Sequence, residues 1–192
     1  ILNKHLSVKE LNGGGLETSF DYTAAKKNPE IEKLLKKQVA ELQAFKVGKL
    51  DNKNEAIAFW INAYNFFMIN IILTQGFEGK KLNIDSVKDF GSFFNPYKIF
   101  KEEINNVGGK NYSLDQIEKE TLLGQEYKEK GWKDARVHFA VNCASVGCPP
   151  LIKEVYQAKT LDKTLDENLE KAMHTPRHLE VKATLILNKL AM

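Results

Sequence analysis

The chain has 192 residues, 43% of them apolar and 28% charged, with a formal net charge of +3. That is apolar material for one hydrophobic core rather than two, and with a mean hydropathy of −0.38 it excludes a disordered chain. All but two of the 28 basic residues are lysine, a poorer bidentate reader of phosphates and bases than arginine, and no run of like charge forms a tail, so nucleic acid is not expected as a partner.

Residues 1–20, with Gly13, Gly14 and Gly15 in a row, read as an approach segment to a single domain over 21–192. Neither a Met nor a basic-then-apolar leader stands at Ile1, so any targeting segment is expected outside these residues. Asn28-Pro29-Glu30 supplies a cap, a proline at the first helical position and an early acid. Ile31, Leu34, Leu35, Val39, Leu42 and Phe45 follow at helical spacing, which predicts an amphipathic helix to about Phe45.

A second helix is predicted from about Asn54 to Gln75, stopping at Gly76 and apolar nearly all round. Its stretch from Ala56 to Leu73 approaches membrane-span length, but Asn62, Asn65 and Asn70 interrupt it and charged anchors are scarce, so a buried central helix is expected and no transmembrane span. Glu55, Asn62, Asn65 and Asn70 fall within one stripe of about 140° on this helix. Buried amides there need partners, either loop backbone or a ligand.

Phe90, Phe93, Phe94, Pro96 and Tyr97 predict an irregular packed segment, followed by a hairpin turning at Gly108-Gly109. Ser113 and Gln116 form a capping-box pair opening a helix through about Leu123. Leu114, Ile117, Thr121 and Leu122 make its apolar face, and Glu118 sits on that same face, where a carboxylate needs a partner. Val137, Phe139 and Val141 alternate with Arg136, His138 and Asn142, the period of a strand. Thr160 opens a further amphipathic helix with Leu161, Leu165, Leu169 and Ala172 on one side, and Leu179, Val181, Ala183 and Leu185 alternate in a final strand. Several helices with few, separated strands predict α+β: a helix-rich single domain with a central buried helix and a small, mainly antiparallel sheet.

The segments DYTAAKKNPE (21 to 30), AFWINAYNFFMINIIL (58 to 73), SLDQIEKETL (113 to 122), ARVHFAVNCASVGCPPL (135 to 151) and VYQAKTLDKTLDENL (155 to 169) together resemble the bacterial family known as domain of unknown function 547. The resemblance runs from roughly Asp21 to Arg177. It implies an exported protein, periplasmic or extracellular and in some forms anchored to the envelope, where disulfides persist. It also implies a continuation past the last strand into an aromatic segment, expected beyond Met192.

Within His138–Pro150 lie both cysteines of the chain and one of its four histidines. Three chemistries suit them. In the first, Cys143 is a nucleophile, His138 its general base and Glu118 the group that orients the imidazole, giving a thiol-dependent hydrolase or transferase acting on an amide or ester. An extended strand separates His138 from Cys143 by about 16 Å, so the chain must fold back after Asn142 for them to meet. In the second, Cys143 and Cys148 form a structural disulfide worth on the order of 2 kcal/mol. Arg136 then neutralises Glu118, and the domain is a non-catalytic ligand- or protein-binding module. The third makes His138, Cys143 and Cys148 metal ligands, but no close cysteine pair and no evident fourth ligand support it, and His174 and His178 join only through tertiary placement. No metal or cofactor is expected. The site predicted is a polar cleft between the Asn62/Asn65 helix and the region of Glu118, Arg136, His138 and Cys143, with Asn62, Asn65, Arg136 and Asn142 holding a small-molecule or peptide-like polar ligand.

Overall fold

The computed structural model describes residues 1–77, 97–145, 147–176, 178–182 and 185–188. The first twenty residues, read from sequence as an approach, are folded against the rest of the domain. A short helix α1 (Leu2–His5) leads into an antiparallel hairpin of β1 (Leu6–Glu10) and β2 (Leu16–Phe20), registered Leu6 to Phe20. Leu6 is buried in an apolar cluster with Ile31, Leu35, Ile69 and Leu151. The Thr175 hydroxyl accepts from the Leu16 N–H at 3.1 Å, tying the hairpin to the far end of the chain. His5 is half-buried and lies near Phe20.

Asp21 caps α2 (Tyr22–Lys27), accepting from the Ala24 N–H at 2.8 Å. Helix α3 (Pro29–Ala44) begins as the sequence predicts, with Asn28 accepting from the Glu30 N–H at 3.1 Å and Pro29 in its first turn. It buries Ile31, Leu35 and Leu42, while Leu34 stays 47% exposed. Helix α4 (Lys53–Phe77) is the central element: Ile57, Ile61, Tyr64, Phe67, Met68 and Leu73 along it are all buried. A helix with apolar residues on every face needs neighbours on most sides, and α3, the 116–122 segment and the chain around 151–160 provide them. Glu55, grouped with the asparagines on the sequence stripe, is exposed and needs no partner. The predicted irregular segment with Phe90, Phe93, Phe94 and Pro96 lies outside the described residues.

Strands β3 (Asn105–Val107) and β4 (Lys110–Tyr112) pair antiparallel around Gly108 and Gly109, both at positive φ, so the two-residue turn is of the kind that needs glycine or asparagine. The Ser113/Gln116 box closes reciprocally: Gln116 N–H donates to Ser113 Oγ at 3.1 Å, and Ser113 N–H to Gln116 Oε1 at 2.9 Å. The helix it opens is unusual. Over Gln116–Leu122 it has π-type turns, and the Leu123 N–H reaches back five residues to the Glu118 carbonyl at 3.0 Å. Its predicted apolar face is correct, with Leu114, Ile117 and Leu122 buried.

Helix α5 (Gln125–Glu129) follows, and then the chain departs from expectation. Ala135–Phe139 is a 3₁₀ turn, not a strand. Asp134 accepts from the Arg136 N–H through its side chain at 2.9 Å, and Val137 N–H bonds to its carbonyl at 3.2 Å. Local capping by an Asx-type residue thus wins over a two-residue alternation that has no neighbouring strand to pair with. Helix α6 (Leu161–Met173) buries Leu161, Leu165 and Ala172 as predicted. The single final strand of the sequence reading is instead two short antiparallel strands, β5 (Leu179–Lys182) and β6 (Leu185–Asn188). The fold is α+β and helix-rich, and its described strands form three separate two-stranded hairpins around a helical core.

Candidate functional site

Glu118 and His138 are brought together. The carboxylate Oε1 lies 3.0 Å from the imidazole Nδ1, with the Glu118 side chain 16% exposed and His138 54% exposed. The π-type turns carry Glu118, and π-type segments are found disproportionately at functional positions. The 3₁₀ turn opened by Asp134 carries His138. Acid–base sites use such a mostly buried carboxylate to orient an accessible imidazole, and structural polar pairs have the same geometry. Among the described residues, no hydrogen bond links His138 to either cysteine.

Cys143 and Cys148 are joined in a disulfide, their Cα atoms 6.0 Å apart. The loop they close is held again by Asn142, whose Oδ1 accepts from the Ala144 N–H and whose Nδ2 donates to the Pro149 carbonyl, both at 2.8 Å. Ala144 sits at φ +56, a left-handed conformation that L side chains rarely adopt. The nucleophile reading therefore needs a thiol that exists only after reduction.

The remaining predicted ligand contacts are engaged with the protein itself. Asn62 donates to the Tyr156 carbonyl at 2.7 Å and accepts from the Tyr156 N–H at 2.9 Å. Asn65, one turn on, donates to the Ala140 carbonyl and accepts from the Asn142 N–H, both at 2.9 Å. The amides thus found loop backbone, the first of the two partners their burial called for. Asn70, the third amide of the stripe, leaves its Oδ1 buried with no hydrogen-bond partner among the described residues.

Arg136 does not neutralise Glu118; three aspartates take it instead. Its Nε donates to Asp134 at 3.0 Å, Nη2 to Asp134 at 2.5 Å and Asp162 at 2.8 Å, and Nη1 to Asp166 at 2.7 Å and the Asp162 carbonyl at 3.3 Å. These contacts occupy every N–H of the guanidinium and bolt the 3₁₀ turn to α6. Hydrogen bonds from Arg136 hold the Asp134 carboxyl below the usual carboxylate range. Asp134, Asp162 and Asp166 escaped the sequence reading, although Asp162 and Asp166 are four apart on a predicted helix and share a face. Asn168, also missed, donates to the Phe139 carbonyl and the Tyr156 hydroxyl from a buried position.

A cavity of about 640 Å³ lies between α3, α4 and residues 151–156. Asn62 and Asn65 contribute to its wall, but Glu118, Arg136, His138, Asn142 and Cys143 do not. The two halves of the predicted cleft thus belong to different places: the amides to this cavity, the imidazole and carboxylate to the Glu118–His138 pair. Among the described residues, no three His, Cys, Asp or Glu side chains are grouped to share a metal ion.

The family model described as "Protein of unknown function, DUF547" matches residues 47–171. The chain belongs to this family. The DUF547 region runs from the turn before α4 to the end of α6, and so contains the Glu118–His138 pair, the disulfide loop, the Arg136 cluster and both amide braces. Helix α3 and residues Ile1, Leu2 and Asn3, which also line the cavity, lie before it. No curated protein and no solved structure matches the chain.

Proposed function

We propose that this DUF547 chain is a non-catalytic ligand-binding module in which the Cys143–Cys148 bond is structural, exported by a bacterium to the periplasm or cell exterior and anchored to the envelope in some full-length forms. The observation that carries this reading is the bond itself: both sulfurs are joined, and attack on an amide or ester needs a thiolate. The saturation of Asn62, Asn65, Asn142 and Arg136 by backbone and aspartates supports an architectural role for them. A half-open cavity of about 640 Å³ is of the size that takes small ligands. Disulfides persist in oxidising compartments, which favours export.

One observation favours a second reading, a thiol-dependent hydrolase or transferase: the accessible His138 held at 3.0 Å by Glu118. In that reading reduction frees Cys143 before catalysis. The two separate cleanly when the protein is offered small amides and esters with and without a thiol reductant, each with and without iodoacetamide. The binding module shows no iodoacetamide-sensitive turnover in any condition. Turnover that appears on reduction, and is lost with iodoacetamide and in His138→Ala, would overturn it in favour of the thiol enzyme.

A further inference from the structure

The loop between the two cysteines is fastened twice. One fastening is covalent and holds the Cα atoms of Cys143 and Cys148 6.0 Å apart. The other is the side chain of Asn142, which reaches across the same loop from just before Cys143 to just after Cys148. Its Oδ1 accepts from the Ala144 N–H and its Nδ2 donates to the Pro149 carbonyl, both at 2.8 Å. An extended chain carries five residues over about 17 Å, so the fold must bring the sulfurs together before a bond between them exists. Ala144 stands at φ +56, a conformation that its own side chain disfavours and that the hydrogen bond to Asn142 holds in place.

Asn142 is itself held. Its N–H donates to Asn65 Oδ1 at 2.9 Å, and Asn65 Nδ2 donates to the Ala140 carbonyl, from a position on α4 that is 8% exposed. The clasp is therefore assembled when α4 is packed against residues 140–142. Inside the loop, the Cys148 N–H donates to the Ser145 carbonyl at 3.0 Å. None of these contacts involves sulfur. Both cysteines are partly exposed, within reach of a small oxidant.

We propose that Asn142 is the positioning residue for closure of the Cys143–Cys148 bond, a clasp that brings the two thiols together in the folded, reduced protein and so makes oxidation follow the docking of α4. The proposal rests on reading this bond as structural and adds how the fold secures it. With glutathione disulfide as oxidant, one cysteine thiolate attacks a glutathione sulfur and releases the first glutathione. The second cysteine thiolate then attacks the protein sulfur of that mixed disulfide, forms the Cys143–Cys148 bond and releases the second glutathione. Two electrons and two protons thus pass from the two thiols to the two glutathiones. Asn142 acts on the second, intramolecular step, by raising the effective concentration of one thiol at the other.

Equilibration of the intact chain in graded mixtures of reduced and oxidised glutathione, quenched in acid and read by alkylation and intact mass, gives the oxidation constant. Asn142→Ala is expected to lower it about tenfold, the equivalent of one net hydrogen bond. Asn142→Asp keeps the acceptor for Ala144 but loses the donor to Pro149, and lowers it about threefold. Ser145→Ala, exposed and outside the clasp, matches the parent. By linkage, Asn142→Ala costs more stability to urea in the oxidised than in the reduced protein, a difference that a merely structural contact would not show. Circular dichroism confirms that each variant is folded, and where the alanine variant does not fold the aspartate variant carries both comparisons. An oxidation constant changed less than twofold in the folded Asn142 variants, or equal stability losses in the two redox states, would overturn the proposal and leave the structural disulfide standing. A parent chain that keeps two free thiols in the most oxidising mixture would remove the disulfide and the proposal together.

Discussion

Asn62 holds the backbone of Tyr156 by both of its polar groups, donating to the carbonyl at 2.7 Å and accepting from the N–H at 2.9 Å. The geometry imitates a rung of β-ladder, made by a side chain of a central helix with a strand-like segment that has no sheet to join. Asn65 repeats the device three residues later on Ala140 and Asn142. These braces set where the disulfide loop leaves the core and where the 151–156 wall of the cavity runs.

Removal of a brace strands main-chain groups with half-buried or buried surroundings. Asn62→Ala is predicted to lower stability by about 2–3 kcal/mol, the cost of two lost hydrogen bonds and of partners left unpaired. Urea denaturation measures it, and amide exchange at Tyr156 accelerates in the same variant. A loss below about 0.5 kcal/mol would show that the brace is dispensable.

The Arg136 cluster makes stability depend on acid. Hydrogen bonding by Arg136 is the main cause that lowers the Asp134 pKa in the folded protein. A carboxyl depressed on folding stabilises at pH values above its unfolded pKa, and that contribution fades as pH falls through the folded value. Asp134→Asn is therefore expected to be less stable than the parent at pH 7, with the gap closing toward pH 2. Melting temperatures of the pair across that range check the sign, and a gap that widens on acidification would contradict it.

The imidazole of the Glu118–His138 pair is half in water, whereas the Glu118 side chain is only 16% exposed. His138→Ala is expected to cost about 1–2 kcal/mol, the penalty of leaving a mostly buried acceptor without its partner. A chemical-denaturation difference several times larger would make the pair a structural strut and remove its candidacy as a ligand-facing group.

Gly124 closes the π-type segment. A Cβ there would lie 1.7 Å from the Glu120 carbonyl oxygen, an overlap that only backbone movement relieves. Gly124→Ala is predicted to cost about 2 kcal/mol or more and to displace Glu118 from His138. Gly48→Ala, whose Cβ meets nothing within 4 Å, serves as the silent comparison in the same melts.

What could be read from sequence was local chemistry. The Asn28-Pro29 start, the Ser113/Gln116 box and the Gly108-Gly109 turn each depend on residues a few positions apart, and each formed as read. The all-round apolar character of residues 56–73 likewise required a buried helix. The 135–141 strand was misread because alternation is also what a capped 3₁₀ turn beside a core yields, and the deciding cue was Asp134 rather than the apolar pattern. Glu118 was seen to need a partner and found His138, yet Arg136 went to aspartates 26 and 30 residues away, a choice that only tertiary packing makes. The π-type turns left no signature, since an i to i+5 bond involves backbone alone.

The claim on which this account stands is that Cys143 and Cys148 are joined to each other in the native protein. Intact-mass measurement of protein purified without reductant, alkylated under denaturing conditions before and after reduction, tests it most directly. The account predicts no adduct before reduction and two afterwards. Two adducts on the unreduced protein would contradict it and return Cys143 to the list of nucleophiles.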